Sequence, residues 1–377
     1  MHVVFLTNEY PKKNISHGGI GTFVHFLANK LILEGVKVTV LGINNLFKNE
    51  FEIDAGINVF RLKKSKWKVG KFFDQNRRII QKIAQINNNL KIDIVEGSEL
   101  SFAFFPKRTS YKKVIRLHGG HHFFAIELHK KPVLWRGYQE KKSFKNADFF
   151  VAVSNYVGKQ TQQYLNYKFN YEIIYNSIKI ENFYKADAEK QQQHKLLFIG
   201  TVCEKKGVEN LVKAFALVKR KYPSAILDII GRDWASKDNN SYINYLKNKY
   251  VEIVKTGIHF KGILPYRQIP IAIESATICV YPSISESFGL TIIEAMCMGK
   301  AIAVSDIEPF KEILGNSKAA LLFNKESSEN MAKVIIKLLD SKKNREGLEI
   351  NSRKHILEKF DNDKILKQNI DFYKSVI

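Results

Sequence analysis

Short apolar runs alternate along this chain with longer segments whose apolar positions recur every three or four residues. The run "VVFLTN" (residues 3–8) reads as a buried strand, being continuous and too short for a helix. "IGTFVHFLANKLILEG" (20–35) has helical spacing and stops at a glycine, and "VKVTVLG" (36–42) is again strand-like. Strand, helix, strand is the βαβ unit of a parallel sheet, whose strands are covered on both faces and so lack polar alternation. The pattern continues through "IDIVEG" (92–97), "KVIRLHG" (113–119), "ADFFVAVS" (147–154) and "EIIYN" (172–176). A polar stretch without period, "KADAEKQQQHK" (185–195), reads as a linker. A second set of strands follows: "LLFIG" (196–200), "AILDIIG" (225–231), "ATICVYPS" (276–283) and "AIAVSD" (301–306). The 377 residues therefore read as α/β, with two Rossmann-like domains over 1–184 and 185 onward. Such domains facing each other make a cleft at the carboxyl ends of both sheets, where open α/β folds bind ligands.

The stretch "SESFGLTIIEAMCMGK" (285–300) holds two glutamates, Glu286 and Glu294. Glu286 lies in the loop after a strand, and a helix is expected from about 288–290 to Met298, with Gly299 past its end. Glu294 falls on that helix among apolar residues, where an unpaired carboxylate is costly. The first N–H groups of a helix have no internal partner and form an anion site. The amides around Phe288, Gly289 and Leu290 would supply it, and Gly289 allows close approach. Anion donors flanked by two carboxylates suit a nucleotide sugar: the amides would meet the diphosphate, one carboxylate the ribose hydroxyls, the other the sugar.

The Glu-x₇-Glu spacing of "ESFGLTIIE", followed by "AMCMG", resembles the signature of the retaining glycosyltransferases of family 4, which have the GT-B fold. The resemblance implies that Glu294 binds the ribose diol and that Glu286 and the nearby amides hold the donor sugar and phosphate. In "GTVCEKKGVENLVKAF" (200–215), Lys206–Gly207 matches the part of the family's loop that grips the diphosphate. Thr201 stands where that family has an arginine, so one cation is missing there; Lys205 or Arg232, in "IIGRDW", could replace it. A glycine turn such as "HGGIGTF" (17–23) is often only a tight turn, but Gly18 and Gly19 match the family's turn that faces the transferred sugar and phosphates, and the resemblance implies that contact for Gly19. His118, in "RLHGGHHFF" (116–124), is implied beside the sugar hydroxyls. Catalytic roles are thus expected of Glu286, His118 and Lys206. The final segment, 356–377, resembles the helix that crosses back to the first domain in that fold. No metal or other cofactor is expected. His118, His121, His122 and His129 complete no familiar ligand spacing, and "DND" (361–363) has the composition of a helix start.

Charge adds a partner to this picture. The net charge is +23, and residues 1–180 carry 29 Lys and Arg against 13 Asp and Glu, or +16 of it. A basic first half suits an anionic partner. "RLKKSKWKVGKFF" (61–73) interleaves six basic residues with Trp67, Phe72 and Phe73, a composition that suits an anionic membrane surface, single-stranded nucleic acid, or a plain solvated loop. Three cysteines in no zinc or redox pattern favour a reducing compartment, and no apolar run reaches membrane-span length. The expectation is a cytoplasmic enzyme, peripheral on the inner face of the plasma membrane. It would transfer a sugar from a nucleotide-diphosphate donor to a hydroxyl acceptor that can be lipid-linked, in cell-surface polysaccharide synthesis. Two alternatives stay open: a basic nucleic-acid-binding protein, which would leave Glu286, Glu294 and Lys206 unexplained, and a GT-B synthase of soluble sugars.

Overall fold

The computed structural model describes residues 1–12, 18–66, 70–234 and 241–377. It divides into two units, one of residues 1–177 and 362–377, the other of 178–361.

The first unit begins with β1 (His2–Leu6), α1 (Gly19–Leu33) and β2 (Lys37–Asn44), the βαβ unit that the pattern predicts. Next comes a hairpin, β3 (Glu50–Asp54) and β4 (Ile57–Lys63), then α2 (Lys71–Asn89), β5 (Ile94–Gly97) and β6 (Lys112–Leu117). The unit continues with α3 (His121–Glu127), α4 (Leu134–Asn146), β7 (Phe149–Ala152), α5 (Asn155–Leu165) and β8 (Glu172–Ile173). The sheet order is β3-β4-β2-β1-β5-β6-β7-β8, parallel except for the hairpin. The hairpin departs from the expected basic loop. Ala55 and Gly56 both have positive φ, 48° and 88°, as the tight turn between twisted antiparallel strands requires. Arg61 consequently lies on β4, buried, donating to Glu52 at 2.6 Å and to the Pro11 carbonyl at 2.9 Å. It therefore does not belong to a surface basic patch. Trp67 and Lys68 of that patch lie outside the described residues.

The second unit runs β9 (Lys195–Ile199), α6 (Val208–Lys221), β10 (Ile226–Ile230), α7 (Tyr242–Lys249), α8 (Val251–Gly257), β11 (Ile258–Gly262) and α9 (Ile269–Ser275). It goes on through β12 (Ile278–Tyr281), α10 (Leu290–Cys297), β13 (Ile302–Ser305), α11 (Glu308–Leu314), β14 (Leu321–Phe323), α12 (Ser328–Asp340) and α13 (Lys342–Lys359). Its sheet is parallel throughout, in the order β11-β10-β9-β12-β13-β14. One face packs on α6 and α12: Leu196, Phe198, Leu227 and Val280 of the strands meet Leu211, Phe215, Met331 and Ile335 in one buried core. The polar stretch after residue 185 is tied to this unit, with the Gln192 amide donating to the Ser275 carbonyl at 2.9 Å and the Asp187 amide to Glu274 at 3.2 Å.

The last helix, α14 (Asn362–Val376), belongs to the first unit. A buried ion pair receives it. Arg116 of β6 bonds Glu96 of β5 at 2.7 Å, Tyr373 donates to the same carboxylate at 2.8 Å, and Arg116 donates to Asn369 at 2.7 Å. Buried charges persist only when so paired, and removing one partner strands the other.

Candidate active site

In the second unit the loop after β9 and the loop after β12 meet. Glu204–Lys206 forms one 3₁₀ turn closed by Gly207, whose φ is +66°. A Cβ at Gly207 would stand 1.9 Å from the Pro282 carbonyl oxygen, so only glycine lets the two loops approach this closely. The amide of Ile284 donates to the Lys205 carbonyl at 2.9 Å. This closeness brings the Lys206 ammonium onto Glu286, which also accepts from the Ser283 hydroxyl at 2.9 Å. Burial pushes the Glu286 carboxyl up, but the charges of Lys206 and Lys205 outweigh it and hold the group below its ordinary range. Glu286 is therefore an ionised carboxylate with cations around it. Lys205 is shifted down, by burial first and by Lys206 next.

Eight residues on, Glu294 meets the opposite environment. Gly289, at φ +135°, caps α10, and Glu294 sits buried on that helix as expected. The Tyr266 hydroxyl donates to it at 2.9 Å, and no cation is among the causes of its shift. Burial raises its pKa to about 7. Burial and the Glu294 carboxylate in turn keep Tyr266 protonated. Of the three residues expected at the helix start, Phe288 has its ring buried against Phe360, 5.9 Å between centroids, so its side chain is taken up in packing.

Arg232 lies on the loop after β10, directly beside Thr201. The Val202 amide donates to its carbonyl at 2.8 Å, and its guanidinium lies 5.6 Å from the Trp234 ring centre. The loop after β10 is thus tied by its backbone to the loop that carries Thr201.

In the first unit, Gly19 opens α1 and is exposed; the adjoining His17 lies outside the described residues. His118 follows β6, its ring edge-on to Phe23 at 5.7 Å. Burial and then Arg116 push its imidazole down to about 3, so it is neutral. Its amide donates to Glu99 at 2.6 Å. Two further histidines are engaged elsewhere: His121 accepts from the Val133 amide at 2.8 Å, and His122 pairs with Glu140. Among the described residues no group of three or more His, Cys, Asp or Glu side chains is placed to hold a metal ion.

A family model described as Glycosyl transferases group 1 matches residues 179–355, and one described as Glycosyltransferase Family 4 matches residues 17–182. The chain belongs to the group 1 glycosyltransferases. An uncharacterized glycosyltransferase of Methanocaldococcus jannaschii is 26% identical over 292 residues, 74% of this chain and 72% of that protein. The N,N'-diacetylbacillosaminyl-diphospho-undecaprenol alpha-1,3-N-acetylgalactosaminyltransferase of Campylobacter jejuni is 27% identical over 214 residues, 56% of this chain and 53% of that protein. Among solved structures, sucrose-phosphate synthase from Thermosynechococcus elongatus has a TM-score of 0.83 at 18% identity, covering 100% of this chain and 98% of that one. HepE of Anabaena, in complex with UDP-glucose, has a TM-score of 0.77 at 15% identity and covers all of both chains. The fold is GT-B.

In this glycosyltransferase, sequence reasoning missed the partners of its own glutamates. Ser283, three residues before Glu286, was legible as a serine-x-x-glutamate spacing. Tyr266, on the 3₁₀ turn Tyr266–Gln268, carries no such signal: it is 28 residues from Glu294 and meets it only through the packing of the sheet. Glu99 and Glu140, both buried beside the His118 turn, were also passed over. No helix among the described residues is long and apolar enough to cross a membrane.

Proposed function

We propose that this glycosyltransferase moves a sugar from a uridine diphosphate donor to a hydroxyl of a lipid-linked acceptor, with retention at the anomeric carbon, at a membrane surface. The second unit takes the donor and the first most of the acceptor. The observation that carries this reading is the pairing of Lys206 with an ionised Glu286 beside the start of α10, with Glu294 on the same helix. On donor binding the diphosphate takes up Lys206 and the helix-start amides, while Glu294 accepts both ribose hydroxyls. As the bond from the anomeric carbon to phosphate breaks, negative charge grows on the leaving oxygen, and those donors stabilise it. The acceptor oxygen bonds the anomeric carbon on the same face and passes its proton to the departing phosphate.

HepE's complex with UDP-glucose supports the choice of uridine, and the diphospho-undecaprenol acceptor named for the Campylobacter relative supports a lipid link. The exposed basic residues of the first unit support a peripheral, cytoplasm-facing position on anionic lipid. Sucrose-phosphate synthase, of the same fold, keeps a soluble acceptor as the second reading. The test is a thermal-shift screen of nucleoside diphosphates, then of their sugar conjugates, followed by nucleotide release with membrane extracts against soluble sugars. UDP should raise the melting temperature more than GDP or ADP, because a ligand that binds only the folded state stabilises it. No response to any nucleoside diphosphate would sink the donor assignment. Release driven by soluble sugars and not by lipid extract would sink the acceptor assignment.

A further inference from the structure

Helix α4 is patterned against its surroundings. The residues it buries include Gln139, Glu140 and Ser143 beside Phe144, while its first turns expose the large apolar side chains Leu134, Trp135 and Tyr138 together with Arg136. An amphipathic helix of a globular domain does the reverse. Leu134 is 90% exposed, and Val133, just before it, is 59% exposed. Trp135 stacks on Tyr138 at 5.8 Å and lies 6.0 Å from Phe73, itself half exposed at the start of α2. Phe104, 4.8 Å from Phe73 and 6.2 Å from Trp135, joins the rings into one surface drawn from three separate segments. Scattered exposed apolar residues need no explanation, but a contiguous patch of this kind does.

The charges around it have one sign. Residues 128–146 contain six Lys and Arg and one carboxylate. That carboxylate, Glu140, points inward to His122 and is fully buried. Lys130, Lys131, Arg136, Lys141 and Lys145 are exposed, and Lys142 lies 4.5 Å over the Phe104 ring. Resting on the lipid-linked acceptor described above, we propose that the start of α4, with Phe73 and Phe104, is the face that docks on the head-group region of an anionic bilayer. Tryptophan and tyrosine favour that depth, where the ring is apolar and its polar edge stays wet. Lysines and arginines ringing them draw the face to anionic lipid. A single-stranded nucleic acid would also use rings and cations, but Val133 and Leu134 offer it nothing to stack on. Branched aliphatic side chains at the crest suit hydrocarbon.

The test uses the full chain and vesicles of phosphatidylcholine with and without phosphatidylglycerol. Wild type should sediment with the anionic vesicles alone and release in high salt. The exposed double variant Leu134→Gln/Trp135→Gln should bind about tenfold more weakly or worse, and so should Lys130→Gln/Lys131→Gln/Arg136→Gln. With Trp67 and Trp234 changed to Phe, brominated lipid should quench Trp135, which places the ring inside the bilayer. UDP-induced thermal shifts, measured on the same proteins, should not change. Equal sedimentation of the Leu134/Trp135 variant and wild type overturns the docking face. So does an oligonucleotide that binds wild type and displaces it from vesicles. Vesicle binding without any response to UDP would leave the docking face standing and remove the donor assignment instead.

Discussion

The two sheets offer opposite chemistry at their carboxyl ends. In the second unit the loops bring Lys206 and Lys205 to one ionised glutamate, Glu286, with Arg232 on the neighbouring loop after β10. In the first unit the turn after β6 holds two uncharged groups, His118 and Glu99, beside the buried Glu140 carboxylate. Burial, aided by the Glu140 carboxylate, raises Glu99 to about 8, and burial drives the His118 imidazole to about 3. An anion finds partners at the first of these ends; an uncharged, hydroxyl-bearing molecule finds them at the second, where a neutral imidazole can donate at one nitrogen and accept at the other. The overall charge points the other way, because residues 1–180 hold +16 of the +23. The charge of a unit is therefore not the charge of its site. In the first unit much of the excess sits on outer faces such as α4, while at the loops of the second the cations Lys205, Lys206 and Arg232 are half-buried.

The comparison breaks most sharply at Lys206. Lys206→Ala should lower kcat/KM for nucleotide-sugar turnover by roughly a hundredfold or more, about 3 kcal/mol for one donor to a developing anion. It also leaves Glu286 with less compensation, so circular dichroism must first show that the variant folds. A near-normal rate in a folded variant would move the diphosphate grip to Lys205 or Arg232.

Glu294 should show a smaller effect with a pH signature. Its carboxyl is raised from 4.5 to about 7 by burial. The free protein therefore prefers the protonated form, and it loses stability as pH rises from the ordinary carboxyl range to about 7. A ribose diol donating two hydrogen bonds prefers the carboxylate. Affinity for a UDP-sugar, whose diphosphate loses no proton in this range, should thus climb through about pH 7 and level off above it. Glu294→Gln should remove that slope and weaken binding about tenfold, the worth of a charge-assisted bond at ~1.5 kcal/mol. Isothermal titration at several pH values decides this. A slope retained in the glutamine variant would assign the titration to another group.

The positions of Glu286, Glu294 and Lys206 were legible because each follows a strand–loop–helix pattern that apolar runs and glycines mark. What those runs could not reveal is who answers each charge. The contrast between Glu286 and Glu294 depends on Lys206 in one case and Tyr266 in the other, and both contacts join segments far apart in the chain. The hairpin at 50–63 was legible in principle from "EFEIDAGINVFRLK", where alternation on either side of Asp54–Gly56 marks a turn. Reading residues 61–73 by composition alone hid it, and so counted Arg61, a buried partner of Glu52, as a surface cation.

Arg232 sharpens the comparison at a finer scale. If it supplies the cation missing at Thr201, Arg232→Ala should cost several-fold in kcat, and Arg232→Lys should recover part of it. Its guanidinium lies over Trp234, so part of any loss could come from the loop rather than from charge. Steady-state kinetics of Arg232→Ala and Trp234→Phe separate the two. Equal losses in both would make Arg232 a loop residue and leave Lys205 as the substitute.

The smallest effect expected is that of chelation. A metal ion in nucleotide-sugar transfer neutralises charge on the departing diphosphate, and here Lys206, the helix-start amides and Lys205 or Arg232 are proposed to supply that charge. Asp363 of the "DND" sequence lies in the first turn of α14, where carboxylates stabilise a helix start and serve the fold. Those two aspartates also lie on either side of the division between the compact units, Asp361 with the second and Asp363 with the first. Turnover measured with and without EDTA should therefore agree within error, and Asp363→Asn should change the melting temperature more than the rate. Loss of activity in EDTA, restored by Mg²⁺ or Mn²⁺ and weakened by Asp363→Asn, would transfer the charge of the leaving group from the lysines to a metal. The contrast between the two sheet ends would then need a cation that the side chains alone do not provide.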